Sequence, residues 1–374
     1  MVSLHERRFD ADLAGRGGTA PVGVRVLSKT RSSQGPAMPT RSSTRRRLLV
    51  RALLSLAAAL PLVAALPVSA TRAEDPWPTR PVTMIVPFAA GGSTDVIGRI
   101  VAEGLRVELG QPVLVDNRGG AGGTIGTAAI VKAVPDGYTI GMGTASTLAI
   151  NPAAYKSLGY DVLTGLVPVT NIAAVPNIMS INADVPAADM AAFIRLAKAQ
   201  AGKMSYASAG IGSVSHLMGE QFKLATGVDI VHVPYRGIGP ALNDAVAGQV
   251  QVLFDNLPST LPMVQAGKLK ALAVSGPNRV PALPDVPTFT ELGLDDLGWM
   301  AFFGLVVPEK TPPAVVARLH AAAVKALAQD EVKSRLTAQQ AVVIGNRPEE
   351  FAAEIRRDLE RMRRAVAAAK IELN

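Results

Sequence analysis

From Val82 onward, short apolar runs alternate with amphipathic stretches. VTMIVPF (82–88) is rich in β-branched residues and reads as a buried parallel strand. After a glycine turn, Val96, Ile97, Ile100, Val101 and Leu105 recur at helical spacing. They predict a helix to about Leu109 with Ser93 or Thr94 as its cap. QPVLVDN is a second strand, a second helix starts near Thr124, and DGYTIGMGT (136–144) is a third strand. The two extended apolar segments of VPVTNIAAVPNIMSINADVP read as a crossing into a second unit, where the pattern restarts. Helices are expected over 187–201, from Ser213, and over 239–247; strands over 204–207, 229–233, 250–254 and 269–274. PALPDVPT (281–288) reads as a proline-stiffened loop and WMAFFGLVVP (299–308) as a return strand. Two helices close the chain, one with Thr311 as cap and proline in its first turn, the other running over 348–369. Strand and helix in alternation place the chain in the α/β class.

The front of the chain has another pattern. Arg45, Arg46 and Arg47 precede LLVRALLSLAAALPLVAALPVSA. A basic segment, an apolar run and a small-residue end make a secretory signal peptide, cleaved after Ala70 or Ala73. Arg51, Pro61 and Pro67 interrupt the run, which is barely long enough for the competing readings, a bilayer anchor or a buried helix. TRRRLL also fits a twin-arginine signal, as against the general export route. Such a segment belongs at a chain start, so translation is expected from Met38, with residues 1–37 an over-extended reading. A long polar leader is the alternative.

This division changes the meaning of the charge. The chain carries 38 Lys and Arg against 30 Asp and Glu, and residues 1–70 hold 11 and 3 of them. The net charge of +8 therefore belongs to the leader, and the rest is formally neutral. Nucleic acid calls for a basic face on the folded part, so none is expected as a partner. Cysteine is absent, which removes disulfides and thiol chemistry. The roughly 300 residues after the leader must rest on their core, a size that usually divides into two domains.

The candidate chemistry lies in three glycine-rich turns between strand and helix: PFAAGGSTD (87–95), NRGGAGGTIG (117–126) and SAGIGSVSH (208–216). Glycine admits close backbone approach, and a helix start points free N–H groups outward, which suits an anion. GGSTD lacks the lysine and spacing of a nucleotide P-loop, and no third glycine completes a dinucleotide fingerprint. His216, His232 and His320 make no metal cluster by local spacing, so neither metal nor cofactor is expected. Asp95 and Asp255 as paired carboxylates compete with plainer roles as cap or hydrogen-bond acceptor. Ser213 with His216, three residues apart, offers an alternative as an ester or amide hydrolase, although Gly-x-Ser-x-Gly is missing.

The strings WPTRPVTMIVPFAAGGSTDVIGR, VDNRGGAGGTIGTAA, DGYTIGMGT, SYASAGIGSVSHLMGE, VPYRGIGPALNDAVAGQV, GKLKALAVSG, RVPALPDVPTFTELG and VPEKTPPAVVARL occur in this order. Together they resemble the Bug/TctC family of extracytoplasmic solute-binding receptors. The resemblance implies a periplasmic-binding fold of the second type, two α/β domains with a cleft between them and two crossings. Domain 1 would span 77–173 and 298–374, domain 2 174–297, with 38–73 the signal segment. It implies a monomer that captures a small carboxylate or amino-acid ligand outside the cytoplasmic membrane and delivers it to membrane transporter subunits. The implied first ligand loop is Phe88, Ala89, Ala90, Gly91, Gly92, Ser93 and Asp95. Thr144 and Ser146 would add hydroxyls, and Ala207, Ser208, Gly210, Gly212 and Ser213 would grip the other side. In amino-acid binders of the family, the acid at the place of Asp95 meets a ligand ammonium. Gly119 departs from the family, where proline often follows the Asn-Arg pair.

Overall fold

A computed structural model describes residues 77–373. Residues 1–37, the start at Met38, the signal segment 38–73 and the cleavage points lie outside the described residues.

The chain opens with β1 (Val82–Val86), α1 (Ser93–Leu109), β2 (Val113–Asn117), α2 (Thr124–Val131) and β3 (Thr139–Thr144). A π-helical turn over Ser146–Ile150 runs into α3 (Asn151–Ala154), and β4 (Leu166–Val175) follows. β1 pairs in parallel with β2 and β3, so its residues Val82, Met84, Ile85 and Val86 are buried on both faces. The predicted stripe of α1 faces the sheet: Ile97, Ile100, Val101 and Leu105 are buried. Each contributes about 1.5–3 kcal/mol by leaving water.

The second lobe comprises β5 (Asn177–Asn182), α4 (Met190–Ala199), β6 (Ser205–Ser208), α5 (Val214–Thr226) and β7 (Val231–Pro234). It continues through α6 (Ile238–Val246), β8 (Val252–Asn256), α7 (Leu257–Gln265) and β9 (Leu269–Val274). The chain then returns through β10 (Ala301–Pro308), α8 (Pro313–Ala328), α9 (Asp330–Ala338), β11 (Val342–Val343) and α10 (Pro348–Ala368). The sheet orders are β11-β4-β10-β3-β1-β2 and β7-β6-β8-β5-β9. Lobe 1 is thus built from both ends of the described chain and lobe 2 from its middle.

The crossings differ in kind. β4 passes into β5 through the single residue Pro176, whereas residues 275–300 carry the chain back. Asn177 pins the two together. Its N–H donates to Ser275 Oγ at 2.7 Å, its carbonyl accepts from Ser275 N–H at 2.8 Å, and its side-chain amide donates to Trp299 O at 2.7 Å.

Some expectations are corrected. Gly92, not Ser93 or Thr94, caps α1, because the Ser93 hydroxyl is engaged elsewhere. Thr311 donates to Pro308 O, and Pro312 takes the cap position of α8. Three helices, not two, close the chain, and α7 was not foreseen because Pro258 and Pro262 hide it.

Candidate functional site

Strand ends and helix starts from both lobes converge on one cleft. On the lobe 1 side, the turn after β1 is held by Asp95. Its carboxylate accepts from Gly91 N–H at 3.0 Å and Asn117 Nδ2 at 3.0 Å, and it pairs with Arg99 Nη2 at 2.9 Å. Burial opposes the charge, but the Arg99 hydrogen bond, the Gly91 N–H, Asn117 and the Arg99 charge outweigh it and hold the carboxyl below its ordinary range. Asn117 also donates to Phe88 O at 3.1 Å. Gly91 sits at φ 84°, a left-handed conformation that glycine adopts without strain.

On the lobe 2 side, Ser213 caps α5. Its oxygen accepts from His216 N–H at 3.3 Å and its hydroxyl donates to Gly210 O at 2.6 Å. Two backbone N–H groups donate across the cleft. Val214 N–H, which opens α5, donates to Ser146 Oγ of lobe 1 at 2.9 Å. Ser259 N–H, in the first turn of α7, donates to Ser93 Oγ of lobe 1 at 3.1 Å. The Ser93 hydroxyl also lies 3.1 Å from Asn256 O and 2.7 Å from Ser259 Oγ. Two helix starts of one lobe are thus capped by serine hydroxyls of the other.

At the floor, Asp255 accepts from Ser259 Oγ, from Thr260 Oγ1 at 2.7 Å and from Asn256 N–H at 2.6 Å. Burial pushes its carboxyl up to about 7, and those hydrogen bonds only partly offset this. Among the described residues on the cavity wall there is no lysine or arginine. The space between the cleft walls measures about 30 Å³, room for two or three water molecules at roughly 10–15 Å³ each. An organic solute therefore enters only when the lobes part.

Of the residues singled out in the sequence, Phe88, Gly92, Ser93, Thr144, Ser146 and Ser213 line this cavity. Ala89, Ala90, Gly91, Asp95, Ala207, Ser208, Gly210 and Gly212 do not. Ala207 and Ser208 are fully buried in β6, and Ser208 Oγ is 2.6 Å from His232 Nε2. Asp95 faces its own turn, not the cleft. Ile238, Asn256, Phe302 and Phe303 are wall residues that sequence reasoning missed. Signals for them exist: Ile238 stands in a fourth glycine turn, RGIG, and Asn256 at the carboxyl end of a strand, where open α/β sheets place ligands.

Several glycines sit where the lobes touch. A Cβ on Gly122 would lie 2.1 Å from Ile211 O, and one on Gly239 would lie 2.4 Å from Ala90 O. The turns are glycine-rich because backbone meets backbone across this seam.

The alternative pairing of Ser213 with His216 is not formed. His216 Nδ1 accepts from Gly212 N–H at 3.2 Å, and its ring stacks on His232 at 4.3 Å between centroids. Burial lowers the pKa of His216, and that of His232 to about 3.

Residues 97–370 match the TctC family, described as the tripartite tricarboxylate transporter family receptor. Protein BugT of Bordetella pertussis is 37% identical over 295 residues, covering 79% of this chain and 90% of that protein. The chain belongs to the TctC family. The structure of the periplasmic binding protein BugD superposes with a TM-score of 0.78 at 37% identity, over 80% of this chain and all of BugD. The R. palustris protein Rpa4515, solved with adipate, gives 0.77 at 34% identity over 80% of this chain and all of its own. This TctC member is a solute-binding receptor with the two-domain α/β periplasmic-binding fold. Among its described residues, no helix is long and apolar enough to cross a membrane.

Proposed function

We propose that this receptor captures a small carboxylate-bearing solute in the cleft and hands it to membrane transporter subunits. The observation that carries the reading is the pair of helix starts, at α5 and α7, whose N–H groups are met by Ser146 and Ser93 of the opposite lobe. A neutral hydroxyl is a modest acceptor there. A carboxylate oxygen in its place makes a charge-assisted bond and gains from the helix dipole. With the lobes apart these N–H groups are free. A solute that bridges them stabilises the closed form by its preference for that form. Adipate in Rpa4515 supports an acid of this size class.

The wall residues Phe88, Gly92, Ser93, Thr144, Ser146 and Ser213 form our proposed contact set, joined by Asn256 and Asp255. Below neutrality Asp255 keeps its proton and can donate to an anion. Asp95 supports the loop from behind. While Asp255 holds its proton no ionised acid faces the solute, and the cleft then favours a plain carboxylic acid over an amino acid. The protein works as a monomer without catalysis, exported by the signal segment and cleaved after Ala70 or Ala73.

Calorimetry on the chain starting at Thr71 or Glu74, with adipate, malate, glutamate and choline, tests the reading. The acids are expected to bind and choline to remain silent. Binding of choline alone, or ester turnover abolished by Ser213→Ala, overturns it. N-terminal sequencing of the exported protein checks the cleavage point.

A further inference from the structure

The cleft wall takes Ser213, Val214 and Ser215 from the start of α5, but neither the next residue, His216, nor His232 of β7. Both histidines are tied to the loop that leads into that wall. The Gly212 N–H, which can only donate, meets His216 Nδ1 at 3.2 Å, so that nitrogen carries no proton. Two residues earlier, Gly210 N–H donates to Ser208 Oγ at 3.1 Å, and this oxygen lies 2.6 Å from His232 Nε2. Tyr206 of β6 stacks on the far face of the pair, 4.8 Å from His232 between centroids.

Lobe 1 seals the Gly212 turn. A Cβ on Gly212 would run into Asn151 Oδ1, Tyr155 Cε2 and Leu373 Cδ1, all of lobe 1. Beneath this cover His216 is 8% exposed. An imidazolium has N–H groups at both nitrogens. Its Nδ1–H would face the Gly212 N–H, donor against donor, under a seam that excludes water. With the lobes apart the cover is gone and water carries the charge. A proton on His216 and closure of the lobes therefore compete.

Little around the ring offsets this. Glu220, one turn on along α5, accepts from the Tyr206 hydroxyl at 2.6 Å and pairs with Lys223 at 3.2 Å. β7 brings only His232, and lobe 1 brings Tyr155. Asp255 of β8 is engaged at the cleft floor with Asn256 and Thr260. Asp295, Asp296, Arg361 and Arg364 gather at Gln221 and Leu224, more than a turn further along α5. Burial is the largest influence and lowers the His216 imidazole from its ordinary value.

We propose that His216 is a positioning residue that makes solute capture proton-sensitive: neutral, it braces the Gly212 turn for closure; protonated, it opposes closure. The inference rests on the cleft as the capture site and names its regulation. Outside burial the ring titrates near 6.5, so closure is fully favoured above that pH and lost as pH falls through it. One proton lowers the closed-to-open ratio about tenfold between roughly pH 7.5 and pH 5.5.

The chain has no cysteine. Ile125→Cys in lobe 1 and Arg236→Cys in lobe 2, both exposed, thus take a spin-label pair near the seam, where Gly119 meets Arg236 O. Their separation reads closure in the solute-free protein, so the result does not depend on which acid binds. Calorimetry with adipate reads the same factor as affinity. His216→Asn places a non-titrating oxygen where Nδ1 stands. The labelled parent is expected to lose closure about tenfold between the two pH values; the Asn variant is expected to match it at the higher pH and stay level by comparison. Asp255 titrates in the same window in both proteins and cancels between them. Three results overturn the proposal: a parent ratio that does not fall, an Asn variant that falls with it, or an Asn variant already open at the higher pH.

Discussion

Replacing Gly239 by alanine separates closure from folding. Gly239 is the second residue of α6, and the atoms that an added Cβ would approach, Ala90 O at 2.4 Å, Ala90 C at 3.6 Å and Gly91 Cα at 3.9 Å, all belong to lobe 1. Real Cβ contacts essentially never fall below 3.0 Å, so the seam must part there by more than half an ångström. Overpacking of this kind costs about 1–3 kcal/mol, borne by the closed form alone. Within lobe 2 the change is favourable, since alanine is a better helix former than glycine by up to about 1 kcal/mol. The two effects have opposite signs. Affinity for an acid that saturates the cleft should fall about five- to 150-fold, while the unfolding temperature of the solute-free protein holds. Titration calorimetry and scanning calorimetry on the same preparations measure both. Unchanged affinity would show that the seam does not close as the structure has it. A parallel fall in affinity and unfolding temperature would place the damage in the fold.

Asp255 gives a pH test. Raised from 3.8 to about 7, it keeps its proton longer in the fold than in the unfolded chain, so it contributes stability at low pH that is lost as pH rises through that window. Urea stability of wild type relative to Asp255→Asn should fall by about 1.4 kcal/mol per pH unit from about 4 to about 7, and level off above; a level difference throughout refutes the buried protonated acid. The buried His232, lowered to about 3 and so opposing this slope at acid pH, cancels in the difference. Asp95→Ala strips the Gly91 N–H, Asn117 and Arg99 of their acceptor and should cost about 1–3 kcal/mol of urea stability. A variant as stable as wild type would show that the turn holds itself without the carboxylate.

Where periodicity alone decides structure, the sequence was readable. Val82–Val86 is an unbroken apolar run because β1 is buried on both faces, and the α1 stripe repeats because one face meets a sheet. α7 escaped notice because Pro258 and Pro262 argue against a helix locally, although the first falls in the opening turn, where no intrahelical N–H is needed. β11 is two residues long and exists only through pairing with Ala173 and Ala174 of β4. The glycine turns were visible as turns, but their purpose was not. Ser93 meets Ser259 across 166 positions, and no local pattern announces that a hydroxyl placed to cap its own helix caps another lobe's helix instead. Asp95 shows the same limit in reverse: an acid at a helix start in a ligand loop is equally suited to face outward or to brace its own turn.

Asn177 joins a one-residue crossing to a long one with bonds to Ser275 and Trp299, which makes it the fulcrum of the molecule. Any rotation of the lobes has its axis near this residue, and displacement grows with lever arm. A fraction of a degree at the pivot is imperceptible beside Asn177 yet shifts the far rim of the seam in proportion to its distance. A spin label or fluorophore pair set at that rim therefore registers opening with the greatest gain.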